Sequence, residues 1–381
     1  MKLTIEQAAL AKALATAVNV APKRNTIPIL GNVLIDAQTD VADGLVWIIA
    51  TDQSIEARCA VPAVIAEPGQ VTVPAGLLSD IARHAPGGAD LTLQWDRDAD
   101  PRATVQFGRS RYNLPTLAAG DFPVWPSGTM PHTLTLSAVD LAQMIDRVAS
   151  AVSTEAVRYY LHGAYTHRSP DRPTHLRMAT TNGHRMAWAE MPATFDTGDV
   201  DAVIIPSNAL AQFSRALDGR AGEVQLRVGP AGCRLEVENL IISSKLVDGS
   251  FPDYVRVVPR DWENEVIVDR ALLAAAVQRT ALVTDDRTLP IKLDFADDRL
   301  RLTARNTTQG QGEEEIEVEI THGGAFEVGF NARYVQQVLG LHGADRILIR
   351  ATGPAGPTRF EPLVADAEHG DFLNIIMPMR V

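Results

Sequence analysis

The chain has 381 residues, 46% of them hydrophobic and 22% charged, which suits a soluble globular protein too long for one ordinary core. A formal net charge of −12, taken alone, argues against a DNA partner, since affinity for phosphate needs Lys and Arg, but it does not exclude a protein that surrounds DNA without gripping it. MKLTIEQAAL lacks the basic-then-apolar pattern of a signal peptide, and no run approaches the roughly 18–20 apolar residues of a membrane helix, so a cytoplasmic protein is expected.

In chain order, the apolar strand KLTI leads into an amphipathic helix over 4–19, where Thr4 and Gln7 have capping-box spacing. A β-rich element, IATDQSIEARCAV (49–61), precedes TVPAGLLSDIARHAPGG (72–88), which reads as a strand, a proline and a second helix. Alternating strands in ATVQFGRSRYNL follow, and this part ends on LPTLAAGDFPVWP (114–126). The order then restarts. HTLTL runs into a helix over 137–152 with Ser137 and Asp140 at its start, followed by MATTNGHRMAWAEM (178–191), IIPSNALAQFSRALDGR (204–220), the strands EVQLRV and CRLEVENLIISS, and SKLVDGSFPDYVRVVP (244–259). A third pass begins with VIV and a helix over 269–282 capped by Asp269. It continues through LTARNTTQGQGEEEIEV (302–318) and GFNARYVQQVLGLHGAD (329–345) to LVADAEHGDFLNIIMP (363–378).

Aligning Pro74, Pro206 and Asn331 gives spacings of 132 and 125 residues, and aligning Phe122, Phe251 and Phe372 gives 129 and 121. Any α+β protein contains helix–strand runs, but not three ordered sets with a shared G-x-F or G-D-F ending. The expected architecture is α+β, with three repeated units each of two helices packed on antiparallel sheet. Boundaries fall in 123–131 and 259–264, giving domains 1–126, 127–259 and 260–381.

No nucleotide-binding, nucleophile-elbow, zincin or C-x-x-C motif occurs. Asp96, Asp98 and Asp100 resemble a calcium loop, but Pro101 stands where its glycine belongs and Phe107 where its bidentate glutamate belongs. Cys59 and Cys233 sit in strand-like runs and read as small buried hydrophobes. His184 has no nucleophile or second histidine at a useful spacing, which favours a surface role beside Arg185. Asn306-Thr307-Thr308 fits a glycosylation sequon without consequence in the cytoplasm, and Glu313, Glu314 and Glu315 read as a solvated strand edge that resists unwanted pairing. The helices carry Lys12, Arg83, Arg147, Arg215, Arg270, Arg279 and Arg333 against Glu6, Asp80, Asp140, Asp146, Asp218 and Asp269. That face is mildly positive beside an acidic remainder, and it suits diffuse attraction to DNA as well as ordinary exposed charge.

NTIPILGNVLI (25–35), VRYYLHG (157–163), TTNGHRMA (180–187), SKLVDGSFPDYVRVVP (244–259), GFNARYV (329–335) and MPMRV (377–381) together resemble the bacterial DNA polymerase III beta subunits, over the whole chain and in order. The resemblance implies a non-catalytic processivity factor without cofactor or metal. Two chains would meet head to tail in a closed ring lined by helices, sliding on double-stranded DNA without sequence specificity. It places Tyr112 and Leu114 on one side of the dimer contact and Leu282 and Val283 on the other, with Glu313–Glu315 near the rim. The first domain's Pro74 is followed by Ala75-Gly76, where the family often carries basic residues.

DNA would meet Lys23, Arg24, Tyr159 and Tyr160, although Glu155 and Ser207-Asn208 stand where the family often has an amide and Arg-Lys, which implies weaker contact. The replicative polymerase, the clamp loader, other polymerases and repair proteins would dock short linear motifs in one groove. Its implied residues are Leu161, Thr181, Gly183, His184, Arg185, Met186, Pro252, Arg256, Val257, Asn331, Tyr334, Ile375, Met377, Pro378, Met379 and Arg380. Met, Leu, Val and Pro make an adaptable apolar trough for Leu or Phe anchors. Two anchors at about 1.5–3 kcal/mol each, with backbone hydrogen bonds, suit affinities of about micromolar. On the residues alone, two other classes stay open. One is a hydrolase on repeated α+β units, which needs convergent polar residues that the motifs do not supply. The other is a scaffold that uses the groove without forming a ring.

Overall fold

The computed structural model describes residues 1–22, 24, 26–38, 40, 44–96, 101–125, 128–196, 201–284, 289–363 and 372–381. Among them, strands and helices fall into three runs of the same make-up: nine strands and two helices each. The first run is β1 (Lys2–Glu6), α1 (Gln7–Val20), β2 (Asn32–Asp36), β3 (Leu45–Thr51), β4 (Ile55–Pro62), β5 (Val64–Glu67), β6 (Gln70–Pro74), α2 (Ala75–His84), β7 (Asp90–Gln94), β8 (Arg102–Phe107) and β9 (Ser110–Pro115). The second is β10 (His132–Ser137), α3 (Ala138–Ala149), β11 (Gly163–Arg168), β12 (His175–Thr181), β13 (Arg185–Pro192), β14 (Thr194–Phe195), β15 (Val203–Pro206), α4 (Ser207–Leu217), β16 (Glu223–Gly229), β17 (Gly232–Val237) and β18 (Leu240–Ser244). The third is β19 (Asn264–Asp269), α5 (Arg270–Thr280), β20 (Pro290–Ala296), β21 (Arg299–Asn306), β22 (Gly310–Glu317), β23 (Glu319–His322), β24 (Phe326–Asn331), α6 (Ala332–Leu341), β25 (Arg346–Ala351), β26 (Thr358–Pro362) and β27 (Phe372–Ile376).

Each helix grows directly from the end of a strand, and the residue at the join decides how the helix is capped. Ser137 Oγ accepts from Asp140 N, and Asp269 Oδ1 accepts from Leu272 N at 2.8 Å, as their sequence positions predict. The capping box expected at Thr4 does not form. Thr4 lies inside β1 with its hydroxyl 3.3 Å from that of Thr92, and Gln7 Nε2 donates to Ala82 O. Glu6 occupies the cap position without a side-chain bond. Pro74, Pro206 and Asn331 all close the strand before a second helix, so their shared spacing marks one structural joint.

The pairing rules repeat as well, and every pairing with an assigned register is antiparallel. In each run the first strand pairs with the fifth and seventh, and the second with the third and sixth. The third and fourth pair, as do the seventh and eighth and the eighth and ninth. Runs are joined by one further rule. The ninth strand of the second run, β18, pairs with the fourth of the first, β4, and the ninth of the third, β27, pairs with the fourth of the second, β13. The remaining ninth and fourth strands, β9 and β22, each lie at the outer edge of a sheet.

Because these junctions make continuous nine-stranded sheets, the compact units do not follow the three sequence segments. One unit comprises Met1–Leu136, Phe195–Thr197 and Ala211–Leu246; the other comprises Ser137–Thr194, Gly198–Leu210 and Val247–Val381. In the first, Leu3, Ile5, Leu10, Leu14, Ile35, Ile48 and Leu78 are fully buried where α1 and α2 cover sheet. In the second, α5 and α6 pack Leu273, Val277, Val335 and Leu339 onto Ile291, Phe295, Leu302 and Phe330. Cys59 and Cys233 are free and buried, and burial pushes their thiols up to about 11 and about 12. Asp98 and Asp100 lie outside the described residues. Among the described residues, no helix is long and apolar enough to cross a membrane.

Candidate peptide-binding groove

The β12–β13 turn frames a groove in the second unit. Thr181 Oγ1 donates to Arg185 O at 2.8 Å and accepts from Gly183 N, while Asn182 Oδ1 accepts from the amides of His184 and Arg185. Gly183 has φ +86°, and a Cβ there would lie 2.5 Å from Arg158 Nη1, so glycine meets both the turn and the close approach. Strand β27 then pairs with β13, setting Met186 opposite Ile375, and Met377 N donates to His184 O at 2.9 Å. Leu161, at the end of a 3-10 segment (Ala156–Leu161), and Val257, in a second one (Tyr254–Val257), face the same space. The result is a mainly apolar groove of about 420 Å³, within the usual range for a binding cleft.

Tyr254 links this groove to a polar cluster centred on the buried pair Arg177 and Glu190. Arg177 Nε donates to Glu190, its Nη2 donates to Asp171 Oδ2 at 2.9 Å, and its guanidinium lies over the Trp188 ring at 4.5 Å. Arg172 reaches the other Glu190 oxygen at 3.0 Å. Arg185 is buried too. It bonds Ser150 O and Gln337 Oε1 and lies 4.3 Å over Tyr334, while burial holds its pKa below the ordinary value.

Nine residues implied by the resemblance line this groove: Leu161, Thr181, Gly183, Arg185, Met186, Pro252, Val257, Ile375 and Met377. His184 is exposed at its rim through the bond to Met377. Arg256 is 85% exposed and paired with Asp253 at 2.7 Å. Asn331 caps α6 through Arg333 N, and Tyr334 is outside the lining but lies under Arg185, which belongs to it. Pro378, Met379 and Arg380 border a separate cleft beside Gly329, where Met379 N donates to Gly329 O. The sequence reading omitted Arg158, Tyr160, Asp253 and Tyr254 from the lining, Tyr160 being implied there only as a DNA contact. The F-P-D-Y run beside Pro252 carried the signal for two of them.

The first unit holds the same frame with different chemistry. Thr51, Asp52, Gln53, Ser54 and Ile55 repeat the turn bonds of residues 181–185, and Lys245 N donates to Ser54 O at 2.9 Å as Met377 does to His184. The register that sets Met186 opposite Ile375 here sets Glu56 opposite Ser243, and Lys245 replaces Met377. Burial raises the Glu56 pKa, while Arg58, Arg234 and the Trp125 amide draw it down. The positions of Met186, Ile375 and Met377 are thus all polar in the first unit.

Of the implied DNA contacts, Lys23 lies outside the described residues and Arg24 is exposed. Tyr159 is 56% exposed and meets Tyr160 edge-on at 5.9 Å, while Tyr160 lines the groove. Among the helix cations, Arg147 lies over Phe372, Arg270 donates to Ala344 O, Arg83 pairs with Asp80 and Arg279 with Glu314; Lys12, Arg215 and Arg333 are exposed. Glu6 and Asp269 belong to strands and Asp218 lies past α4, so the acidic side of that charge comparison is lighter within the helices themselves.

At the edges, Tyr112 on β9 is 40% exposed and stacked on Phe107, whereas Leu114 is 2% exposed and supports the strand from its own core. Leu282 is 76% exposed; Val283 packs on the core, and a Cβ on Gly312 of β22 would meet it at 3.1 Å. The acidic run on β22 is paired within the chain rather than simply solvated. Glu314 takes two bonds from Arg279, Glu315 pairs with Arg299 and Arg301, and Glu313 pairs with Arg301.

The chain matches the family models for the N-terminal, central and C-terminal domains of the DNA polymerase III beta subunit over residues 1–126, 135–253 and 255–380. It is 41% identical to the beta sliding clamp of Caulobacter vibrioides (strain NA1000 / CB15N) and 33% identical to that of Escherichia coli K12, in each case over 100% of both chains. Its structure is similar to that of the Caulobacter crescentus DNA polymerase sliding clamp (TM-score 0.90, 40% identity) and of a Bartonella birtlesii DNA polymerase III subunit beta bound to griselimycin (TM-score 0.93, 32% identity), again over 100% of both chains.

Proposed function

Because the chain belongs to the DNA polymerase III beta subunit family, the bacterial sliding clamps, we propose that it is a processivity factor: a head-to-tail dimer that encircles double-stranded DNA and holds a polymerase there. Its three segments act as domains of about 1–126, 127–259 and 260–381, and it supplies no catalytic group of its own.

The observation that carries this reading is the edge pairing. Twice within the chain, a ninth strand docks on the fourth strand of the preceding run. One ninth strand, β9, and one fourth strand, β22, are left at sheet edges. A second copy satisfies both by the rule already used twice, β9 of each chain on β22 of the other. Such a contact joins different surfaces, and it makes a ring rather than a filament when the rotation closes. Tyr112 on β9 and Leu282 beside β22 supply exposed apolar surface for that contact, and the ion pairs of Glu313–Glu315 leave β22 less repulsive than its sequence suggests. Topological linkage then replaces affinity, which is compatible with a net charge of −12.

The apolar groove receives short partner segments, including those of a polymerase and a loader, and the polar counterpart at Glu56 and Lys245 limits the chain to one such site. Sedimentation with a labelled peptide tests both parts together. A mass of two 41.2 kDa chains binding one peptide per chain is expected. A stable monomer at micromolar concentration, or two peptides per chain, would contradict it.

A further inference from the structure

Tyr254 faces two environments. Its ring borders the groove, is buried to 4% exposure, and meets Tyr165 and Phe251 edge-on with centroids 6.3 Å away in each pair. Its hydroxyl reaches the polar cluster around Arg177 and Glu190, 2.9 Å from His167 Nε2 and 3.4 Å from Arg177 Nη1. His167 Nδ1 lies 2.7 Å from Arg168 O, a carbonyl that only accepts. The imidazole therefore carries its proton on Nδ1, and Nε2 is left to accept from the Tyr254 hydroxyl. Burial, seconded by the Arg177 charge, lowers the His167 pKa and favours that neutral form. Arg177 donates to the same hydroxyl oxygen and is itself fixed by Glu190 and Asp171.

The groove wall that carries this side chain is anchored on the core at its two ends by Phe251 and Val258, and between them Tyr254 is the one side chain buried. Residues 252–257 lie between β18 and β19 in sequence, outside any strand, and the turn Tyr254–Val257 closes on itself through Val258 N to Val255 O. Pro252 and Val257 on this wall are exposed and face the groove. We propose that Tyr254 is a positioning residue for peptide binding: its buried hydroxyl, bonded to His167 and Arg177, pins the Pro252–Val257 wall at the width that admits an apolar anchor. The proposal rests on the groove being a peptide site.

The test is fluorescence anisotropy of a short fluorescein-labelled peptide ending in Leu-Phe, on dimeric protein whose fold is checked by circular dichroism. Tyr254→Phe keeps the ring and removes one hydroxyl, and binding about tenfold weaker is expected. His167→Leu should weaken binding similarly, whereas His167→Gln, which keeps an acceptor oxygen, should restore it. Tyr254→Phe combined with Val257→Ala should bind no more weakly than Val257→Ala alone, because both act through the same wall. Wild-type affinity in folded Tyr254→Phe, or equal loss in His167→Gln and His167→Leu, would overturn the positioning role. Failure of the unaltered protein to bind the peptide would instead overturn the groove reading beneath it.

Discussion

Replacing Leu282 by Asp should convert the protein to monomers without unfolding it. Leu282 is 76% exposed in the single chain, on the 3-10 turn that packs beside β22. Covering that surface in the proposed dimer would contribute about 1.5–2 kcal/mol at each contact. A two-chain ring has two such contacts, so losing both weakens dimerisation by about 3–4 kcal/mol, or roughly 10²–10³ in dissociation constant. The new carboxylate adds a dehydration cost of several kcal/mol, close to the acidic residues of β22. Because an exposed side chain is changed, the melting temperature of the monomer should move little. Sedimentation velocity over a dilution series measures the effect. An unchanged dimer constant would refute both the position of Leu282 in the contact and the pairing of β9 with β22.

Met377→Ala removes a groove side chain that is 38% exposed and should weaken peptide binding about fivefold, measured by anisotropy, with the dimer intact. Arg177→Met leaves Glu190 buried without its main partner and should cost about 3 kcal/mol in denaturant unfolding. Arg177→Met with Glu190→Leu should recover most of that, since Arg172 is then left at the surface. His342 has its pKa pushed down to about 4 by burial, with Arg147 and Arg270 adding to the effect. The unfolded chain therefore binds the extra proton between about pH 6.5 and 4, so stability is complete above that window and falls by about 3 kcal/mol as pH drops through it. His342→Leu should flatten the melting temperature over the same range.

The threefold plan was legible because its markers are local. Cap residues such as Ser137 and Asp269, and the strand-ending Pro74, Pro206 and Asn331, each act on bonds a few residues away. Thr4 shows the limit of such patterns, since its spacing fits a capping box but its hydroxyl answers to Thr92 across the sheet. The groove was legible where it is built from a contiguous motif such as TTNGHRMA, and less so at MPMR, of which only Met377 lines it, and where distant strands decide the neighbours. Nothing local pairs β4 with β18, so the polar counterpart with Glu56 opposite Ser243 appears only once the register is known. The same holds for Tyr254, whose hydroxyl partners come from β11 and β12.

The most direct test of the ring is retention on DNA after loading by a cognate clamp loader and ATP onto a nicked circle, followed through linearisation of that circle. Persistence on the circle and rapid loss through the new ends is the predicted result, because linkage rather than affinity would hold the protein in place. Equal retention on circular and linear DNA would mean ordinary binding, and would contradict the closed ring.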